Sequence, residues 1–221
     1  YAGFSRPVWT WLRGAFEVPY FGLPVTMPRL SGEASAASMR AFRAGVPWDF
    51  SLHSWAILDS HDTARFRTVA GSQERQLVGV GLQMTTPGVP MIWAGDELGL
   101  EGDWGEDGRR TMPWRRPETW DMTLLAEMRK LTRLRRTSPA LARGGIRYAH
   151  VSADVIAYLR ETRGERLLCL ASRADHEPVR LPLALLGCSE VETLYGADAR
   201  CEGGEAVLPA DGPAFGVWRL P

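Results

Sequence analysis

Two short apolar runs constrain this chain more than anything else in it. "HSWAILDS" (residues 53–60) and "GVPMIWAGDE" (residues 88–97) stay free of acidic residues until their ends and then break into carboxylates. Runs of this kind without strict alternation suit strands covered on both faces. Between them, "SQERQLVGVGLQMTT" carries Leu77, Val80, Leu82 and Met84, with Ser72 in the place of an N-cap, and reads as a helix. Gly79 and Gly81 argue against that helix, each by about 1 kcal/mol relative to alanine.

Upstream, "FSRPVWTWLRGAF" has Val8, Trp9, Leu12 and Phe16 close to helical spacing, with Pro7 at an early helical position. "YFGLPVTMPRL" reads as a loop, and Ser31 opens a second capped helix that ends near Gly45. Downstream, "MTLLAEMRKLTRLRRTSPAL" puts Leu124, Leu125, Met128, Leu131 and Leu134 on one face and gathers its basic residues toward the negative helix end. The order helix, strand, helix, strand, helix predicts parallel βαβ units. In such sheets ligands meet the loops beyond the carboxyl ends of the strands. Both "DSHDTAR" and "AGDELGLEGDWGEDGRR" fall there.

From about Gly145 the pattern changes. "DVIAYLRE", "RLLCLASR", "EPVRLPL", "VETLYGA", "EAVLPA" and "FGVWRLP" are short and rich in β-formers, separated by turns such as "TRGE" and "CEGGE". This predicts a small antiparallel sandwich or barrel of about six to eight strands. The change falls within residues 144–149, dividing an α/β part, residues 1–146, from an all-β part, residues 147–221. With 26 basic and 26 acidic residues and no basic run, nothing marks a nucleic-acid surface. No apolar run approaches the ~18 residues of a membrane span. Cys169, Cys188 and Cys201 follow no zinc-ligand spacing, so free thiols and a cytoplasmic location are the expectation.

The first polar cluster, Asp59, His61, Asp62 and Arg65, admits several uses. A carboxylate accepts two hydrogen bonds and an imidazole can donate one, so His61 and Asp62 suit vicinal hydroxyls. An aspartate there can also stabilise developing positive charge. A plainer reading makes a loop aspartate the cap of the next helix. A metal phosphohydrolase site needs further histidine ligands, and His53, His150 and His176 are poorly placed to supply them. The second cluster, residues 95–114, interleaves six carboxylates with Trp104, Trp114, Arg109 and Arg110, a mixture that suits sugar rings. Its acidic groups could serve calcium, but the spacing is not that of an EF-hand loop, so no cofactor is required and calcium is not indicated. G-x-S-x-G, Walker A and G-x-G-x-x-G motifs are absent from the sequence.

These motifs together resemble glycoside hydrolase family 13, the α-amylase family. "AILDSHDTARF" is similar to the family's fourth signature region, in the form closest to the neopullulanase, cyclomaltodextrinase and maltodextrin-glucosidase members. "GVPMIWAGDELGLEGDWGEDGRRTMPW" resembles the segment through the eighth barrel strand and its loop. The resemblance implies the C-terminal part of a (β/α)8 TIM barrel, contributing two strands, followed by an all-β sandwich domain. It implies that Asp62 is the third catalytic carboxylate, which holds the 2- and 3-hydroxyls of the sugar at the cleavage site, and that His61 is the neighbouring hydroxyl-binding histidine. Asp107 and Arg109 fall where relatives bind sugars on the non-reducing side, although Gly105 and Glu106 replace a common Asp-Pro pair. Arg65 is expected beside Asp62, supporting substrate binding.

The nucleophile aspartate and acid/base glutamate of the family have no matching motif in this chain. The segment before Gly145 is also shorter than the ~250 residues of a complete barrel. The expectation is therefore the C-terminal part of a retaining hydrolase of α-1,4 or α-1,6 glucosidic bonds, inactive without the missing N-terminal barrel portion. Its substrate would be an α-glucan or maltooligosaccharide, with no nucleic-acid or membrane partner. Open sheet edges would favour oligomers or poor solubility. The alternative is a non-catalytic carbohydrate-binding or regulatory remnant of such an enzyme.

Overall fold

The two apolar runs become a parallel pair of strands, and the chain around them is ordered as follows. The computed structural model describes residues 3–14, 16–20 and 23–221; Tyr1, Ala2, Ala15, Phe21 and Gly22 lie outside it. Helix α1 (Ser5–Leu12) leads into strands β1 (Phe16–Tyr20) and β2 (Leu23–Met27), then α2 (Gly32–Ala44) and α3 (Trp48–His53). Strand β3 (Trp55–Ile57), helices α4 (Phe66–Ala70) and α5 (Gln73–Thr85) and strand β4 (Val89–Met91) form the βαβ unit. Helices α6 (Gly105–Gly108), α7 (Met122–Thr137) and α8 (Pro139–Arg143) follow. The rest is β5 (Gly145–Val151), β6 (Val155–Glu161), β7 (Arg166–Ser172), β8 (Arg180–Pro182), α9 (Leu183–Leu186), β9 (Glu192–Tyr195), β10 (Arg200–Glu202), β11 (Glu205–Val207) and β12 (Ala214–Arg219).

Strands β3 and β4 pair in parallel, Trp55 with Val89, Ala56 with Pro90 and Ile57 with Met91. Three pairs make a short ladder. It is reinforced from α5, where buried Gln83 donates from Nε2 to Ala56 O at 2.9 Å and to Met91 O at 2.8 Å, bridging the strands from the helix side. The helix begins as expected: the Ser72 hydroxyl accepts from Arg75 N. Ser31 caps α2 in the same way, and Gly45 ends it.

Two expectations need correction. The stretch "YFGLPVTMPRL" is not a loop where it is described: β1 and β2 pair antiparallel from Phe16–Met27 through Tyr20–Leu23, a hairpin whose Phe21 and Gly22 lie outside the described residues. The Pro and Gly content signalled a turn but hid the strands flanking it. Strand β3 is covered on one face only. Ala56 is buried, whereas Trp55 and Val89 on the opposite face are exposed and Ile57 and Met91 half-buried. No other described strand pairs with either outer edge of this two-stranded sheet, so the described residues contain no closed barrel.

The β-rich part forms a five-stranded antiparallel sheet, β5-β6-β7-β12-β9, against a three-stranded one, β10-β11-β8. The three central strands of the larger sheet, β6, β7 and β12, are buried on both faces, with the strand period of two sorting their residues. Val155, Ala157 and Leu159 of β6, with Leu168 and Leu170 of β7 and Trp218 of β12, meet Val179, Leu181, Ala206 and Leu208 in the sandwich interior. Ile156, Tyr158, Leu167, Cys169, Ala171, Phe215 and Val217 face the other way, into one core shared with Trp9, Trp11, Met39, Phe66, Leu82, Leu124 and Leu131 of the helical part. Secondary structure changes at Gly145, but the apolar core runs through. All three cysteines are free. No described helix is long and apolar enough to cross a membrane.

The two glycines of α5 have a packing reason. A Cβ at Gly79 would lie 2.3 Å from the Phe66 ring, and one at Gly81 would lie 2.3 Å from the Phe215 ring. The helix is pressed between α4 on one side and β12 on the other. Overpacking a core costs about 1–3 kcal/mol, and contact with three ring atoms puts Gly81→Ala near the upper end. That exceeds the about 1 kcal/mol of helix propensity regained. Urea unfolding should therefore show Gly81→Ala to be less stable than the parent chain.

Candidate functional site

The loops leaving β3 and β4 meet at the carboxyl end of the parallel pair. The first makes a tight turn: Thr63 N–H donates to Ser60 O at 3.1 Å and Ser60 N–H to the Thr63 hydroxyl at 3.1 Å. Asp62 N–H is held by the Ser60 hydroxyl at 3.2 Å. This turn pushes His61 and Asp62 outward, with side chains 65% and 39% exposed, while Thr63 and Ala64 stay inside.

Asp62 Oδ1 is shared. His61 Nε2 lies 3.2 Å away and Arg109 Nη2 3.5 Å away. Arg109 also donates from Nε to His61 O at 2.9 Å, and its other arm pairs with Glu106 at 3.3 Å. Neither ion-pair contact uses Asp62 Oδ2, which stays available to a hydroxyl. His61, Asp62 and Arg109 are thus brought together from two loops, open to solvent. Gly105 explains how they come so close. A Cβ there would sit 3.1 Å from His61 O, so the second loop packs its bare backbone on the first.

Asp107 does not join them. Its carboxylate turns back to accept from Asp103 N at 2.9 Å and pairs with Arg110 Nη2 at 2.6 Å. These contacts, the Asp103 amide first, lower its pKa from the ordinary carboxylate value. Arg65 requires a correction. It is 2% exposed, is not available to a substrate, and makes no ion pair with Asp62. Its Nη1 donates to Asp96 Oδ1 and to Ala94 O, both at 2.9 Å, and its Nε to Gly108 O at 3.0 Å. The guanidinium lies 3.6 Å over the Trp93 ring. Its backbone N–H reaches Gly102 O at 2.9 Å. The arginine beside Asp62 is Arg109, from the other loop.

Two buried carboxyls beneath the surface went unassigned in the sequence reading. Asp59 is fully buried, and its Oδ2 accepts from Phe66 N at 2.6 Å, capping α4. The plain reading of a loop aspartate as a helix cap thus describes Asp59, not Asp62. Asp96 lies next to it. Burial first, then the charge of Asp96, holds the Asp59 carboxyl well above the usual carboxylate range. Gln76 Nε2 donates to Asp96 O at 3.0 Å and Arg67 to Gln76 Oε1 at 3.1 Å, extending the network to α5. The signal available in sequence was position: Asp59 and Asp96 end the two apolar runs. Among the described residues no group of three or more His, Cys, Asp or Glu could hold a metal ion.

No family model matches the chain. Sequence comparison with characterised proteins finds neopullulanase 2 of Thermoactinomyces vulgaris, 36% identical over 177 residues, covering 76% of this chain and 30% of that protein. A cyclomaltodextrinase of a Bacillus species is 37% identical over 138 residues, covering 60% of this chain and 25% of its own length. Among solved structures, the native debranching enzyme of Nostoc punctiforme superposes with a TM-score of 0.84 at 26% identity, over 99% of this chain and 46% of that one. The chain belongs with glycoside hydrolase family 13, the α-amylase family. The match falls on the C-terminal part of the family's proteins, and the chain spans less than a third of the length of these two curated relatives. A cyclomaltodextrinase structure likewise superposes over 86% of this chain but only 33% of its own, at a TM-score of 0.78 and 28% identity.

The contrast between the two arginines is measurable. Removing one partner of a buried, hydrogen-bonded ion pair costs about 3–5 kcal/mol, whereas exposed pairs are worth about 0–1 kcal/mol. Arg65→Met should therefore lose about 3–5 kcal/mol in urea unfolding, and Arg109→Met less than about 1 kcal/mol.

Proposed function

We propose that this chain acts as the C-terminal part of a retaining glycoside hydrolase that cleaves α-1,4 or α-1,6 bonds in α-glucans or maltooligosaccharides. The observation that carries the reading is the solvent-open His61–Asp62–Arg109 cluster at the carboxyl end of the parallel strands. Asp62 accepts hydrogen bonds from the 2- and 3-hydroxyls of the sugar at the cleavage point, using Oδ2 and the free lone pairs of Oδ1. Those bonds strengthen as the ring flattens toward an oxocarbenium-like transition state. His61 binds a neighbouring hydroxyl and, through Oδ1, holds the Asp62 side chain in place. Arg109 fixes the same oxygen from the second loop, so its position depends on Gly105 and Glu106. Trp104, exposed on that loop, offers an indole face to a sugar ring. Asp107 orders the loop internally and does not bind sugar.

The covalent step needs a nucleophile and an acid/base about 5–5.5 Å apart. In this reading both come from preceding barrel strands, which dock on the free edges and exposed face of β3 and β4. The relatives named neopullulanase, cyclomaltodextrinase and debranching enzyme support the substrate class. No required cofactor and no nucleic-acid or membrane partner is part of the proposal.

The 221-residue chain by itself should release no glucose or maltose from maltodextrin; Asp62-dependent release would overturn the reading. In a longer polypeptide that supplies the preceding barrel segment, Asp62→Asn should lower kcat by about 10²–10³-fold or more, the scale of losing transition-state hydrogen bonds. An unchanged kcat would reject the role given to Asp62.

A further inference from the structure

Beneath the open cluster lie two carboxyl groups and one guanidinium. Asp59 closes the run of β3, Asp96 follows β4, and Arg65 lies between the loops. Asp59 Oδ2 is occupied by Phe66 N–H, but Asp59 Oδ1 is fully buried and receives no N–H and no cation. Arg65 gives its ion pair to Asp96 Oδ1 and spends its remaining bonds on Ala94 O and Gly108 O. Two ionised carboxylates against one cation would leave an uncompensated buried charge. The other charged groups nearby do not supply it. Arg67 of α4 turns to Gln76, Asp121 and Glu101, and Glu97 accepts from Gly95 N and only adds negative charge. The Asp59 and Asp96 carboxyls are within hydrogen-bonding reach of each other, so a hydrogen on Asp59 Oδ1 satisfies that orphaned oxygen, gives Asp96 a second donor and makes the trio neutral.

We propose that Asp59 and Asp96 share one proton, closing a buried clamp through which Arg65 ties the loop carrying Asp62 to the loop carrying Arg109. Asp59 is then a positioning residue. It touches no substrate, yet it keeps Asp96 aligned for Arg65, and Arg65 holds the Gly108 carbonyl next to Arg109. The clamp itself does not depend on the glucan reading; only its consequence for the Asp62 site does.

The sign of the pH effect follows. Asp59 keeps in the folded state a proton that the unfolded chain loses above about pH 4. The clamp's contribution to stability is full below about pH 4 and declines as pH rises toward and through the raised folded-state value. Asp59→Asn keeps the shape: the amide oxygen accepts from Phe66 N–H, the amide nitrogen donates to Asp96, and no proton can leave.

Thermal unfolding of the full 221-residue chain and of D59N, from about pH 5 to about pH 9, tests this. The expected result is a midpoint that falls with pH in the parent relative to D59N, so that the variant gains by several degrees at the alkaline end. Infrared spectra near neutral pH should show an un-ionised carboxylic acid band in the parent that is missing in D59N, a readout that survives self-association. Hydrogen exchange over residues 99–112 should quicken in R65M and stay unchanged in D59N. Parallel pH dependences, no acid band, or failure of D59N to fold would each overturn the proposal. None of these measurements involves a sugar, so loss of the glucan reading would leave them standing.

Discussion

One buried guanidinium decides where the rest of the site can be. Arg65 receives nothing from solvent, so the cost of removing its charge from water must be offset by fixed partners. It has them: a carboxylate, two backbone carbonyls and the face of Trp93. The planar fork serves them in fixed directions, which a lysine ammonium could not do. Because those partners sit on the loop after β4 while Arg65 sits on the loop after β3, its bonding requirement becomes a geometric one. The loops must close on each other, and His61, Asp62 and Arg109 meet at the surface as a result.

The parallel strands alone would give weak support for that arrangement, since their ladder is three residue pairs long. Reinforcement comes from α5. Gln83 ties both strands from below, Gln76 reaches Asp96, and Gly79 and Gly81 let Phe66 and Phe215 press against the helix. The carboxyl end of α5 is held by two arginines from different parts of the chain. Arg135 of α7 donates to the Met84, Thr86 and Gly88 carbonyls, and Arg160 of β6 donates to the Thr85 carbonyl. Positive charge is favoured at that helix end.

The βαβ order, the capped helices at Ser31 and Ser72, and the switch to strands near Gly145 were legible because each rests on local periodicity or local capping. His61, Asp62 and Arg109 were each legible through motif, but the meeting of Arg109 with Asp62 was not, since it joins two loops. The hairpin before Ser31 was not, since its Pro and Gly content masks strand pairing that depends on a register between separated residues. Arg65 was read as a partner of Asp62, three positions before it in the chain. The tight Ser60–Thr63 turn sends them in opposite directions, outward and inward. Asp59 and Asp96 are 37 positions apart in sequence, and no local signal pairs them.

The central strands β6, β7 and β12 have no solvent face to spare. One side lines the sandwich; the other is the floor on which α5 and its neighbours rest. The β-rich segment is therefore a wall of the helical body and not an appendage to it. A cut after Arg143 would uncover the face of α5 around Gly81, on which Phe215 packs. Grafting a foreign β-domain in its place would demand a matching set of inward residues at alternate positions on three strands. Where the two parts share this core, the helical part and the C-terminal sheet have to change in concert, residue against residue.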